Sequence, residues 1–163
     1  MTRASVLGYL AVWSVIGSAL FSVYVVVVYR TGIVYTARKR DGTLKEGIPR
    51  SGYLNMLIFL LCIVGFQVAA NALGLAGTAA EITFLQLFLL NFGHYLLLFL
   101  FDTAVIDGLV LGVWRPGFLQ LPDPTGAESM KKHILASIPV GTVAGVGLAA
   151  VSTVISYFTL FSG

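Results

Sequence analysis

Four long runs of apolar residues dominate the chain, at about residues 6–29, 53–76, 82–114 and 134–161. Each run exceeds the roughly 20 residues that an α-helix needs to cross about 30 Å of hydrocarbon. Because the bilayer core offers no partner for a free backbone N–H or C=O group, such runs are predicted to be helices and not strands. The pattern therefore predicts an all-α integral membrane protein, a four-transmembrane-helix bundle that forms a single membrane domain over residues 1–163.

Composition supports this prediction. Of the 163 residues, 58% are hydrophobic and 10% are charged, and the mean hydropathy is +0.93, which is typical of a chain in lipid. No polar segment is long enough to form a separate soluble domain. The single cysteine, Cys62, has no second thiol with which to pair and is predicted to be a small buried hydrophobic side chain. The first apolar run is expected to be a retained helix, since it is long and the basic residues follow it.

The distribution of charge predicts an orientation. Nine of the ten Lys and Arg residues fall in the segments 30–52 and 115–133, and basic loops are retained in the cytoplasm. We therefore expect both loops in the cytoplasm, both termini on the outer side and a multi-pass location in the inner cell membrane. Arg38, Lys39 and Arg40, at the centre of the first loop, are candidates for binding anionic lipid or a partner protein. The retention of basic loops in the cytoplasm is by itself a sufficient reason for these three basic residues.

The third apolar run carries the most informative polar residues. Thr78-Ala79-Ala80-Glu81 resembles a capping box and is expected to begin this helix at its outer end. At about 1.5 Å per residue from there, Asn91 lies about 13 Å deep, His94 about 18 Å, and Asp102 about 30 Å along, near the cytoplasmic interface. At about 100° per residue these three share a face, whereas Asp107 points about 140° away from Asp102.

The second helix runs in the opposite direction and carries polar residues at matching depths. Gln67 is expected at the level of Asn91, Asn71 one turn nearer the outside, and Asn55 close to the level of Asp102. Gln67 and Asn71 are four residues apart and share a face. We predict that the two faces meet as an intramembrane polar seam. Its members are His94, Asn91, Gln67, Asn71, Asp102 and Asn55, and we expect Asp102 and Asn55 to close its cytoplasmic end together.

The seam has two interpretations. Interhelical hydrogen bonds, often worth about 0.6 kcal/mol and up to about 2 kcal/mol, explain it as a device that fixes helix register. Alternatively His94 is a proton carrier or a ligand for a cation or small solute, because intramembrane ionisable residues are candidates for function. A buried Asp102 would be a second proton site.

Metal, cofactor and enzymatic functions are not favoured by the residue pattern. Zinc sites use three or four protein ligands, and a membrane-bound haem usually takes two histidines. Only His94 lies within the bilayer runs, since His133 is expected near the cytoplasmic face. No metal, cofactor or nucleic-acid partner is therefore predicted. No nucleophile with an adjacent base is visible, so the sequence does not predict catalysis. A lipid-modifying enzyme with its site around Asp102, Asp107 and Arg115 is a third hypothesis.

The fourth helix shows a packing pattern. Small residues recur every four positions, which lets helix backbones approach closely. The stripe consists of Ser137, Gly141, Gly145, Ala149 and Thr153. Such a face serves either the intrachain bundle or a partner, so a homo-oligomer or a complex with another membrane protein is expected.

The segment after the third helix contains Pro116-Gly117-Phe118 and Leu121-Pro122, preceded by Phe101-Asp102 and Ile106-Asp107. In this element the chain resembles small uncharacterised four-helix bacterial membrane proteins. The resemblance covers residues 101–124 and implies a four-helix membrane fold without implying an activity.

Two functional hypotheses follow. In the first, the chain translocates a proton, ion or small solute through an oligomeric bundle that uses the polar seam. In the second, it is a non-catalytic accessory or scaffold subunit of a larger membrane complex, and the seam only holds the helices in register.

Overall fold

The computed structural model describes residues 3–31, 50–75, 82–119 and 127–161. Long helices account for nearly all of these residues. The α-helices are α1 (Arg3–Arg30), α2 (Arg50–Gly74), α3 (Phe84–Phe101) and α4 (Ala127–Ser156). In the described part of the chain, four stretches are long and apolar enough to cross a membrane: Ser5–Arg30, Gly52–Gly74, Phe84–Trp114 and Ile134–Phe161. For the described residues, the prediction of an all-helical fold with four helices long and apolar enough to cross a membrane is thereby confirmed.

Helix α3 begins later than the sequence pattern indicated. Its N-cap is Thr83, whose Oγ1 accepts a hydrogen bond from the backbone N–H of Gln86 at 3.3 Å, while Gln86 Oε1 accepts from the Thr83 N–H at 2.9 Å. This is a capping box. Thr78 and Glu81 lie outside the described residues, and the prediction that they cap this helix was wrong because two similar signatures follow one another closely. The start moves by about 3 Å, so the relative depths of the polar residues are kept.

Beyond Phe101 the helix continues as a π-helix from Asp102 to Trp114. The backbone N–H of Arg115 donates to the Val110 carbonyl at 2.8 Å, a bond that spans five residues. Arg115 ends the segment with φ at 48°. The wider turn of a π-helix brings residues five apart to within about 50° of each other around the axis, so Asp102 and Asp107 diverge much less than in an α-helix. The prediction that they diverge by about 140° assumed α-helical geometry and was wrong.

Helix α4 also departs from the predicted bounds. It begins at Ala127, before the expected start at 134, so Pro139 lies inside the helix. Its last turn is a π-helical segment, Tyr157–Phe161.

The helices do not pack equally. Helix α3 packs extensively against α4 and α1, and α2 packs mainly against α4. The backbones of α1 and α2 make few contacts, which leaves a groove between them on the bundle surface. Cys62 lies there and is exposed, so its predicted burial was wrong because a wholly apolar run does not reveal which face turns inward.

The stripe of small residues on α4 faces α3. A Cβ atom at Gly141 would overlap the ring of Phe99, and one at Gly145 would overlap the ring of Tyr95. The Tyr95 hydroxyl donates to the Gly141 carbonyl at 3.0 Å, and Ala149 is fully buried. At the other end of the stripe, the Ser137 hydroxyl donates within its own helix to the Ile134 carbonyl at 2.8 Å. The glycines thus allow aromatic side chains of the same chain to reach the α4 backbone.

Candidate functional site

Polar side chains from all four helices meet inside the bundle. The Tyr9 hydroxyl of α1 donates to Asn71 Oδ1 of α2 at 2.7 Å. Asn71 Nδ2 donates to Asn91 Oδ1 of α3 at 3.1 Å and to Ser156 Oγ of α4 at 2.8 Å. Asn91 Nδ2 in turn donates to Thr153 Oγ1 of α4 at 3.0 Å. These five residues form the asparagine cluster.

The asparagine cluster is sealed and well bonded. Asn71, Asn91, Thr153 and Ser156 have no exposed surface. The Thr153 hydroxyl accepts a hydrogen bond from Asn91 and donates one to the Ala149 carbonyl at 2.6 Å. Buried polar groups in an apolar medium are costly unless they are hydrogen-bonded, and here each side chain has partners. The cluster therefore holds the four helices at one relative height.

Gln67 extends the seam from α2 to the α3 backbone. Its Nε2 donates to the Asn91 carbonyl at 2.9 Å. Its Oε1 is buried and has no hydrogen-bond partner among the described residues. Only one of the two polar atoms of the Gln67 side chain therefore has a hydrogen-bond partner among the described residues.

His94 lies one turn along α3 from Asn91 and contacts α1. Its Nε2 is 3.2 Å from the Trp13 carbonyl, and because a carbonyl can only accept, Nε2 carries the proton. The ring packs against Phe66 with 5.3 Å between centroids. His94 is 1% exposed, and within the described part of the chain its Nδ1 has no hydrogen-bond partner. A neutral imidazole with this tautomer presents an unused acceptor inside the bundle.

Gly17 makes room for this histidine. A Cβ atom at position 17 would lie 3.2 Å from His94 Nε2 and 3.0 Å from Phe66 Cε1. Both distances are tighter than ordinary contacts, so a side chain here would push the imidazole or the phenyl ring aside. Glycine at this position lets His94 reach the α1 backbone.

The other two predicted seam residues lie elsewhere. Asn55 Oδ1 accepts a hydrogen bond from the Tyr24 hydroxyl at 2.8 Å and so ties α2 to α1. Asp102 is half-buried at the first residue of the π-helix and interacts electrostatically with Asp107. No hydrogen bond joins Asp102 to Asn55 or to the asparagine cluster among the described residues. Both make their contacts outside the asparagine cluster, and the expectation that they close one end of the seam together stays a prediction.

The described residues near this end of the bundle include two arginines. Arg30 Nη1 donates to the Phe118 carbonyl at 3.2 Å, which docks the end of α1 on the 3₁₀ turn Gly117–Leu119. Arg115 Nη1 donates to the Leu111 carbonyl at 3.3 Å. Arg38, Lys39 and Arg40, the predicted lipid- or partner-binding residues, lie outside the described residues.

Sequence reasoning missed three members of the asparagine cluster and one further interhelical bond. The hydroxyl groups of Tyr9, Thr153 and Ser156 complete the cluster, and Tyr24 is the partner of Asn55. Each is a polar residue inside an apolar run, at a depth close to that of its partner. Thr153 was assigned to the packing stripe because it is small, although its hydroxyl is the acceptor that Asn91 requires.

The seam contains hydroxyl, amide and imidazole groups, all of which can form or exchange hydrogen bonds. Within the ranges that the structure covers, no group of three or more His, Cys, Asp or Glu side chains is placed to hold a metal ion. Comparison of the chain with protein-family models, with curated proteins and with solved structures finds no match. The chemistry that these side chains support best is proton transfer or the binding of a small polar species at His94.

Proposed function

We propose that this chain is a multi-pass membrane protein that carries protons across the bilayer, with His94 as the intramembrane carrier. The observation that supports this is the buried Nδ1 of His94, which has no hydrogen-bond partner among the described residues although Nε2 is held by Trp13. Nδ1 can take up a proton and give the same proton up again while Nε2 keeps its bond to the Trp13 carbonyl, which suits a proton carrier. Intramembrane ionisable side chains are expensive to bury and commonly mark such pathways.

The distribution of polar groups along the bundle supports the same proposal. Asn91, His94 and Asp102 lie in that order on α3 and its π-helical continuation, over about 17 Å of helix axis. Tyr9 and Asn71 extend the series beyond Asn91. Polar groups thus occupy more than half of the roughly 30 Å hydrocarbon thickness. Asp102 is the second ionisable member of the series.

A scaffold role is the second candidate, and the asparagine cluster favours it. Tyr9, Asn71, Asn91, Thr153 and Ser156 are mutually bonded and buried, as expected of a network that fixes helix register. An accessory subunit would need no more than this. Unpartnered buried atoms also occur at the Ser14 and Ser152 hydroxyls and at Gln67 among the described residues, but of these four side chains only His94 is ionisable near neutral pH, and the scaffold role gives no reason for that.

Proton flux in vesicles tests the proposal. Purified protein is reconstituted with a pH-sensitive dye inside, and a potassium diffusion potential drives proton uptake. We expect flux above that of protein-free vesicles for the wild type and for Cys62→Ser, an exposed site, and none for His94→Asn. Asparagine keeps a polar side chain in the seam but cannot carry a proton at neutral pH.

Absence of proton flux in the wild type favours the scaffold role. If the wild type conducts no better than protein-free vesicles, and gentle extraction from the native membrane yields a stoichiometric second membrane protein, the chain is a subunit. If the extracted species is a homo-oligomer that conducts, the translocation proposal stands.

The proposal includes an orientation. Nine of ten basic residues lie in segments 30–52 and 115–133, which supports cytoplasmic loops, outward termini and the inner cell membrane as the location. A reporter that is active only outside the cytoplasm, fused after residue 163, is expected to be active. The same reporter inserted in segment 30–52 is expected to be silent.

A further inference from the structure

Buried side-chain atoms without a hydrogen-bond partner among the described residues occur on all four helices. They are Ser14 Oγ, Gln67 Oε1, His94 Nδ1 and Ser152 Oγ. Gln67 and His94 are 1% exposed, and Ser152 is fully buried. A buried polar atom in an apolar medium is costly unless it is hydrogen-bonded, and in native proteins an ordered water is a common partner. The positions of these atoms in the bundle decide whether one small molecule can bond to several of them.

The core residues show that α2 and α4 run in the same direction. One core cluster brings the four helices together near the end of α2 and the start of α3, and it includes Tyr9, Leu75, Leu87 and Tyr157. A second cluster lies further along the bundle and includes Phe21, Ile63, Tyr95 and Leu148. From the first cluster to the second, residue numbers rise along α1 and α3 and fall along α2 and α4. Helices α2 and α4 are therefore parallel.

Gln67 and Ser152 lie one turn away from a hydrogen bond that joins their helices. Asn71 Nδ2 of α2 donates to Ser156 Oγ of α4 at 2.8 Å. Gln67 precedes Asn71 by four positions, and Ser152 precedes Ser156 by four, so each shares a helix face with the bonded residue. Because the two helices are parallel, both steps go in the same direction, by about 6 Å. Gln67 and Ser152 thus come to the same level of the contact between α2 and α4.

His94 of α3 lies next to Gln67. The ring of Phe66, the residue before Gln67, packs on the imidazole with 5.3 Å between centroids. Gln67 Nε2 donates to the Asn91 carbonyl at 2.9 Å, and a helical carbonyl points along the axis towards the following turn, which here carries His94. Because Nε2 of His94 donates to the Trp13 carbonyl, its Nδ1 is an acceptor.

The hydrogen-bonding capacities of the three side chains define what can bind between them. Gln67 Oε1 and His94 Nδ1 are both acceptors, so they cannot bond to each other, whereas the Ser152 hydroxyl can donate. Water offers two O–H donors and an acceptor, and buried waters make about three hydrogen bonds. We propose that Gln67, His94 and Ser152 bind a buried water molecule, which donates to the first two and accepts from Ser152. This water site is compatible with either role of the seam, since neither role enters the argument.

Ser14 provides a matched control. Its hydroxyl is also buried and has no hydrogen-bond partner among the described residues. Ser14 shares a face of α1 with Leu10, and Leu10 Cδ2 lies 3.8 Å from the position of a Cβ atom at Gly93. Gly93 is about 100° around α3 from His94, so Ser14 borders a different flank of α3. Ser14→Ala and Ser152→Ala each delete one buried hydroxyl, and only the second removes a partner of the proposed water.

Magnetisation transfer from water, measured by solid-state NMR of the full chain in bilayers, detects the bound water. The chain has two histidines, so His133→Gln leaves His94 as the single isotope-labelled imidazole. Its Cε1–H lies next to Nδ1 and does not exchange with solvent. We expect rapid transfer to this C–H group, unchanged when Ser14→Ala is added and mostly lost when Ser152→Ala is added. The methyl groups of the fully buried Leu87 give the transfer expected of a dry side chain.

Unfolding in detergent gives a second readout. Ser152→Ala removes a hydrogen bond to the water and should lower the unfolding midpoint, whereas Ser14→Ala removes an unpartnered hydroxyl and should not lower it. Transfer to His94 no faster than to Leu87, or transfer that Ser152→Ala leaves unchanged, would overturn the proposal. Rapid transfer in a protein that conducts no protons would support the water site and contradict only the carrier role of His94.

Discussion

The asparagine cluster and the pair formed by His94 and Gln67 are neighbours in one buried seam, but they use their hydrogen-bonding groups differently. In the cluster, Asn71 alone accepts from one side chain and donates to two. His94 and Gln67 each make one hydrogen bond and keep one buried atom without a partner in the described structure. Asn71 of the cluster uses both polar atoms of its side chain, whereas His94 and Gln67 each use only one.

This difference separates what holds the fold from what is available for chemistry. A buried polar atom without a partner costs about 1–3 kcal/mol, whereas interhelical hydrogen bonds in lipid return only about 0.6 kcal/mol each on average. A seam that served register alone would gain by replacing His94 with an apolar residue. The proposal therefore assigns the structural role to the cluster and the functional role to His94.

Gly145→Leu should have the largest effect, because it separates α4 from α3 and so weakens the bonds that the asparagine cluster makes to Thr153 and Ser156. A side chain at this position overlaps the Tyr95 ring, and overpacking of this kind costs about 1–3 kcal/mol or more. We expect a large drop in the thermal unfolding midpoint in detergent. Gly147→Leu, where the added atom meets open space, should leave the midpoint unchanged, and an equal drop in both variants would contradict the packing of the stripe against α3.

Asn71→Leu should weaken the cluster while leaving the α3–α4 contact in place. The substitution removes a partner from Tyr9, Asn91 and Ser156, at a cost of about 1–3 kcal/mol in unfolding free energy. Asn55→Leu is the matched control, since it breaks one half-buried bond to Tyr24 and should cost about 0.6 kcal/mol. Unfolding in a graded mixture of mild and denaturing detergents measures both. Equal losses of unfolding free energy in the two variants would show that the cluster stabilises the bundle no more than a single interhelical hydrogen bond does.

Thr153→Val should have the smallest effect on stability. Valine keeps the shape of threonine but removes the hydroxyl that accepts from Asn91 Nδ2. Because the buried Nδ2 of Asn91 loses this acceptor, a loss of about 1 kcal/mol is expected, with proton flux kept, since Asn91 Oδ1 still accepts from Asn71. If this variant loses proton flux but keeps its stability, the proton pathway runs through the asparagine cluster and not through His94.

Much of the fold could be predicted from hydropathy, because a bilayer demands long apolar helices. Matching depths on antiparallel helices also brought Gln67, Asn71 and Asn91 into one seam, and the structure joins these three by hydrogen bonds. Relative depth depends only on helix rise, so it is unchanged when a helix end moves by one or two residues.

Angular position was harder to predict. The estimate for Asp102 and Asp107 assumed a constant 100° per residue, whereas the helix changes to bonds spanning five residues at Asp102. Nothing in the sequence from 102 to 114 marks this change, because the choice between α and π bonding depends on tertiary contacts. The contributions of Tyr9 and Ser156 depend in the same way on how α1 and α4 are placed around α2 and α3.

The most direct test of the central claim measures two quantities in one variant, His94→Asn. Proton flux in vesicles and the unfolding midpoint in detergent are compared with those of the wild type and of Asn71→Leu. If His94 is the carrier, His94→Asn loses flux and keeps its midpoint, while Asn71→Leu shows the larger fall in midpoint. A His94→Asn protein that conducts protons as well as the wild type would contradict the claim and leave the whole seam as a structural clamp.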